Sequence, residues 1–122
     1  RVAHTLNALG RCLIAGGRLE EAEDTLRRSL AIDEAKLGRE HVTLVYALSD
    51  LGICLHNAGR WQEAEGILRR SLAIREDALG TAHNQTNNSL YNLGVCLRSE
   101  GRRREAGDIL RRCLPFYEVK HS

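Results

Sequence analysis

Apolar positions recur along this chain at helical spacing, and the whole pattern recurs every 42 residues. Leu6, Leu9, Gly10 and Leu13 stand at i, i+3, i+4 and i+7, one stripe of a 3.6-residue period. The stripe returns as Leu48, Leu51, Gly52, Leu55 and as Leu90, Leu93, Gly94, Leu97. A glycine inside a helix costs roughly 1 kcal/mol against alanine, so its presence in every copy predicts a neighbouring helix packed too closely for a Cβ. A second helix follows, with Ala22, Leu26, Ser29 and Leu30 on its buried side. On its outer side Glu23 with Arg27 and Asp24 with Arg28 stand at i, i+4 with the acid first, the better orientation. Gly17, Gly59 and Gly101 are placed to end the first helices, where a left-handed residue is wanted. Gly38 and Gly80 stop the second helices, and Thr43 is placed to cap the next one.

Each copy is therefore predicted to be a pair of antiparallel helices, and the pairs stack. The expected fold is all-α: one array over 1–122 with repeats of approximately 1–42, 43–84 and 85–122, making six main helices that share a continuous core. Pro115 alters the third copy, standing where Ala31 and Ala73 stand earlier. It removes a backbone donor and crowds the preceding turn, which predicts a kink or stop near Leu114, with Phe116 and Tyr117 beyond it. No polar capping helix follows, so both ends are expected to expose apolar surface.

Composition narrows the function. A net charge of +2 gives no overall field for nucleic acid or an anionic membrane. No stretch is long and apolar enough to span a bilayer, and no signal peptide opens the chain. The first residue is Arg1 rather than Met, which reads as a fragment of a longer protein. All the basic residues but Lys36 and Lys120 are arginine, a bias that sequence alone leaves without a physical account. Cys12, Cys54 and Cys96 occupy one position in successive copies. Equivalent stacked helices lie about 8–10 Å apart or more, beyond the roughly 7 Å a disulfide allows. They are read as small buried side chains, Cys113 as another small residue in the slot of Ser29 and Ser71, and free thiols point to the cytoplasm. Neither metal nor cofactor is expected.

The phrase Leu6-x-x-Leu9-Gly10-x-x-Leu13 followed by Ala22-x-x-x-Leu26 resembles the tetratricopeptide repeat signature, with Leu in the usual Trp, Tyr and Phe slots. The 42-residue period, with Leu37-Gly38-x-x-His41 and Leu79-Gly80-x-x-His83, is similar to the kinesin light chain type. The resemblance implies a right-handed α-solenoid. It departs where Val42 and Asn84 replace the proline that commonly follows the loop histidine. HEAT and armadillo repeats lack this Gly/Ala arrangement.

Comparison of the copies with one another points to a function. The first helices differ most at His4/Tyr46/Asn88, Asn7/Ser49/Tyr91, Ala8/Asp50/Asn92, Arg11/Ile53/Val95, Ile14/His56/Arg98 and Ala15/Asn57/Ser99. These positions trace a stripe roughly opposite the leucines, read as a face free of packing duty. The resemblance implies that it lines a concave groove holding an extended peptide or partner segment. Its candidate binding residues are His4, Asn7, Arg11, Tyr46, Ser49, Asp50, Ile53, His56, Asn57, Asn88, Tyr91, Asn92, Val95 and Arg98. Asn7 and Asn92 match the asparagines that such repeats use to hold a ligand backbone. Too few Lys, Arg and Asn converge for a carboxylate clamp of the chaperone-binding kind. His41 and His83 are expected to hydrogen-bond the turns between copies, and His121 lies in the tail. The cluster Arg102-Arg103-Arg104 with Arg111-Arg112 reads as a solvated outer surface partly neutralised by Glu105 and Asp108. No catalytic or metal motif is present, so an enzyme is the weakest reading. Two alternatives stand beside peptide binding: self-association through uncapped ends, and a sensor array in a larger multidomain signalling protein, such as an NB-ARC-type ATPase.

Overall fold

The computed structural model describes residues 2–80 and 84–113. Six helices follow one another: α1 (Val2–Ala15), α2 (Leu19–Leu37), α3 (Leu44–Asn57), α4 (Trp61–Leu79), α5 (Asn84–Ser99) and α6 (Arg103–Arg111). Consecutive helices pack against each other throughout, giving three helix pairs in one α-solenoid. The expectations for His83, Leu114, Pro115, Phe116, Tyr117 and His121 fall outside the described residues.

The turn inside each pair is built the same way three times. Gly17 has φ +78°; its N–H donates to the Ile14 carbonyl at 3.0 Å while Arg18 N–H reaches back to Leu13 at 2.9 Å. Gly59-Arg60 and Gly101-Arg102 repeat both bonds. This six-residue closure satisfies the last carbonyls of the first helix and reverses the chain. The Arg18 carbonyl then accepts from Ala22 N–H at 3.0 Å and opens α2. Between pairs, Thr43 N–H donates to Nδ1 of His41 at 3.1 Å, the turn bond expected of that histidine. Thr43 itself is not the predicted side-chain cap. Its backbone is already helical at φ −61°, ψ −27°, and its hydroxyl makes no capping bond, because such a bond needs an extended residue at that position.

The repeated glycines are contact points. A Cβ on Gly10 would lie 2.5 Å from Cδ2 of Leu26, and Gly52 with Leu68 and Gly94 with Leu110 give the same 2.5 Å. Each leucine of the second helix is thus pressed onto the bare backbone of the first, while Ala22 and Ala64 are fully buried beside it. The stripe is not uniform. Leu51 and Leu93 are wholly buried, but Leu9 is 46% exposed. Likewise Cys54 and Cys96 are buried and donate their thiols to the carbonyls of Leu19 and Trp61, each at 3.2 Å, whereas Cys12 is exposed. The expectation of burial fails for Leu9 and Cys12 because α3 and α5 seat this flank on the preceding pair. Among the described residues α1 has no helix on that side.

An ionic seam joins the pairs, and it gives the arginines within it a reason not to be lysines. Arg60 grips Glu63 with two nitrogens, at 2.8 and 2.9 Å, and reaches Glu23 of the pair before with a third. Arg27 binds the same Glu23 at 2.9 Å. One pair later Arg102, Glu105, Glu65 and Arg69 form the same four-member box. Arg70 to Glu34 and Arg112 to Glu76, both 2.6 Å, add a second row. A planar guanidinium with five donors can bridge two carboxylates in this way; an ammonium point charge holds neither orientation. The predicted pair Asp24–Arg28 makes no bond among the described residues, unlike Glu23–Arg27. Glu100 sits against this seam 3.7 Å from Arg102. Its Oε2 is shut off from solvent without a hydrogen-bond partner. Burial, with the Glu65 carboxylate beside it, pushes the Glu100 carboxyl above its ordinary value.

Candidate functional site

The backbone of α1 approaches α3 and that of α3 approaches α5, while the second helices of successive pairs meet chiefly through long side chains. The stack therefore curves with its first helices inside, and the non-repeating stripe lies on that inner side. Two contacts tie the stripe into one surface. Arg11 Nη1 meets Asp50 Oδ2 at 3.1 Å across α1 and α3. Nε2 of His56 and Oγ of Ser99 lie 2.7 Å apart across α3 and α5. Burial pushes the Asp50 carboxyl up, although the Arg11 guanidinium pulls the other way.

The candidate residues separate by depth. Tyr46 and Tyr91 stand out, 53% and 58% exposed. His4, Arg11, Asn57, Asn88 and Arg98 are also exposed, while Ile53, His56, Asn92 and Val95 are half-buried along the surface. Asn7 and Ser49 do not belong with them. Asn7 is buried and its Oδ1 accepts from Ser29 Oγ at 2.5 Å; the Ser49 and Ser71 hydroxyls lie 3.1 Å apart. The stripe is thus not wholly free of packing duty. Its position nearest the second helix closes a small polar contact inside the pair. In the third pair that position is Tyr91, and Cys113 stands where the serines stood, so the ring turns outward instead.

The inner surface deepens into a concavity of about 550 Å³ lined by Ala3, His4, Asn7 and Arg11 of α1, Asp33 of α2, and Thr43 and Tyr46 at the start of α3. Asp33 and Thr43 were not among the residues expected from sequence. The signal for Asp33 lay in the second helices: Asp33, Arg75 and Tyr117 share one position and differ completely. Among the described residues no group of three or more His, Cys, Asp or Glu side chains is arranged to hold a metal ion. No described helix is long and apolar enough to cross a membrane.

Stacked helix pairs with a packing seam that repeats and an inner face that does not define a helical-repeat array. The tetratricopeptide repeat profile matches residues 1–77 and again 43–118, and the chain belongs to that family. Among solved structures, a Podosopora anserina kinesin light chain with nearly identical TPR-like repeats superimposes with a TM-score of 0.89 at 22% identity; the match covers all of this chain and 59% of that one. A point variant of that same protein gives 0.88 at 23% identity over 98% and 56%. BtubC (BKLC) from P. vanneervenii gives 0.88 at 19% identity over 99% and 48%. The fold is thus that of kinesin light chain-type repeats, and the chain spans between about half and three fifths of the length of these structures. No curated protein matches the chain.

Proposed function

We propose that this array is a protein-binding scaffold, not an enzyme, that works inside the cell and holds an extended peptide segment against α1, α3 and α5. The units are the three of approximately 1–42, 43–84 and 85–122. The observation carrying the reading is the pair of cross-helix contacts, Arg11–Asp50 and His56–Ser99. They make the non-repeating residues of three helices neighbours on one surface, as recognition of an extended chain requires. Tyr91, exposed, and Asn92, half-buried, supply an aromatic platform and an amide without hydrogen-bond duties among the described residues. Proteins of this family serve generally as interaction scaffolds, which agrees with this use. The test is selection of binders from a random dodecapeptide library on the immobilised chain. The double substitution Tyr91→Ala/Asn92→Ala should remove most capture and leave the melting midpoint within about 2 °C, as surface changes do. Capture undiminished by the double change places binding elsewhere.

A further inference from the structure

From the concavity at the first helix pair we infer a subsite for a basic side chain, built on Asp33. The inference rests on the groove reading above and adds to it the chemistry of one anchor of the ligand. Asp33 is only 8% exposed and borders the concavity. Among the described residues it has neither a hydrogen-bond partner nor an ion-pair partner. A carboxylate with so little contact with water gains from a cation or donors that reach it. The other buried polar residues of this pair are satisfied: Ser29 donates to Asn7 and lies 3.0 Å from the Ala3 carbonyl, and Thr25 donates to the Glu21 carbonyl at 2.8 Å. Among the described residues that line the concavity the guanidinium, that of Arg11, is turned away to Asp50.

The second helix pair carries the opposite charge at this position. There the position of Asp33 carries Arg75, half-buried, whose guanidinium donates to Ser89 Oγ at 3.2 Å. One copy of the fold thus carries a half-buried guanidinium where the other carries a buried carboxylate. Tyr46 stands at the rim of the first concavity. Its ring can cover the alkyl stem or the cationic head of an incoming side chain, as aromatic faces do. An arginine or lysine of the bound segment entering past Tyr46 supplies Asp33 with a charge-assisted hydrogen bond in a site withdrawn from water, where such bonds are strong. An acidic anchor is repelled.

The experiment titrates the isotopically labelled chain with Nα-acetyl-arginine N-methylamide and reads backbone amide shifts. Saturable shifts at Ala3, Asn7, Thr43 and Tyr46 are expected, with none from the acetyl-glutamate analogue. Asp33→Asn should abolish them and leave the melting midpoint within about 2 °C, since no described contact of Asp33 is lost. For a selected dodecapeptide, changing its basic anchor to glutamine should weaken binding about tenfold or more. Shifts of equal size with the glutamate amide, shifts that survive Asp33→Asn, or a larger fall in melting midpoint in that variant would overturn the subsite. Peptide capture that depends on Tyr91 and Asn92 but ignores arginine would refute the subsite alone. Arginine binding at Asp33 without any such capture would refute the groove reading and leave the subsite standing.

Discussion

The two kinds of glycine inside these helices make opposite demands. Gly52 faces Leu68, a side chain only 2% exposed, and a Cβ there would lie 2.5 Å from Cδ2 and 2.6 Å from Cγ. Gly66 lies within α4 with nothing within 4 Å of its Cβ position. Replacing Gly66 with alanine should raise unfolding free energy by about 1 kcal/mol, the helix-propensity difference. Gly52→Ala gains the same propensity but overpacks the core, which costs typically 1–3 kcal/mol, so its net effect should be a loss of up to about 2 kcal/mol. Urea denaturation of both variants checks the pair; stabilisation by Gly52→Ala would mean that Leu68 has room to retreat. The tight position was legible in sequence because the cost of a mid-helix glycine, repeated at Gly10, Gly52 and Gly94, needs a reason. Asp33 was only half legible: it continues the stripe of Leu26, Ser29 and Leu30, but an acid that varies between copies gives no sign that a concavity opens beside it until the pair is folded.

At the scale of the element, the turn after α5 carries a charge in an unfavourable place. Its position is Gly16 in the first copy and Ala58 in the second, but Glu100 in the third. With its carboxyl raised above 4.5 by burial and by Glu65, the native chain keeps a proton there that the unfolded chain has lost. Stability from this group is full below pH 4.5 and falls as pH rises through the raised native value. Glu23 behaves oppositely. Burial alone would raise it, but hydrogen bonds from Arg60 and Arg27 outweigh that and lower it, so its contribution is present above pH 4.5 and is lost only in stronger acid. Glu100→Gln should therefore raise the melting midpoint at pH 7 and flatten its decline above pH 4.5, leaving acid unfolding unchanged. Melts at half-unit pH steps show this; a midpoint lowered at pH 7 would mean that Glu100 serves Arg102 more than it suffers from burial. Helices, turns and the Leu–Gly stripe were readable from spacing because they depend on neighbours within four residues or one pair. The failures at Leu9, Cys12 and Thr43 arose where the outcome depends on the adjoining pair or on the backbone angle at one residue.

For the whole molecule the seam decides how the pairs answer to one another. Glu23 and Glu65 each bind an arginine from their own helix and one from the next pair. These groups are partly exposed and therefore screened by salt. Raising sodium chloride from 0.05 to 1 M should lower the melting midpoint, and Arg60→Lys/Arg102→Lys should shrink that dependence; equal slopes would show the boxes to be incidental. At Cys54, Cys96, Arg60, Arg102, Arg70 and Arg112 the donor lies on the later pair and the acceptor on the earlier one, whereas Arg11 to Asp50 and Arg69 to Glu105 run the other way. The first pair keeps the full donor set in Cys12, Arg18 and Arg28, whereas the third has Gly107 where Glu23 and Glu65 receive the arginine. The turn arginines Arg60 and Arg102 thus reach back to a carboxylate of the preceding pair, and the third pair carries a glycine at that carboxylate's position. A turn arginine that met a glycine there would keep the carboxylate of its own pair, as Arg60 keeps Glu63, and lose the one that ties it to its neighbour.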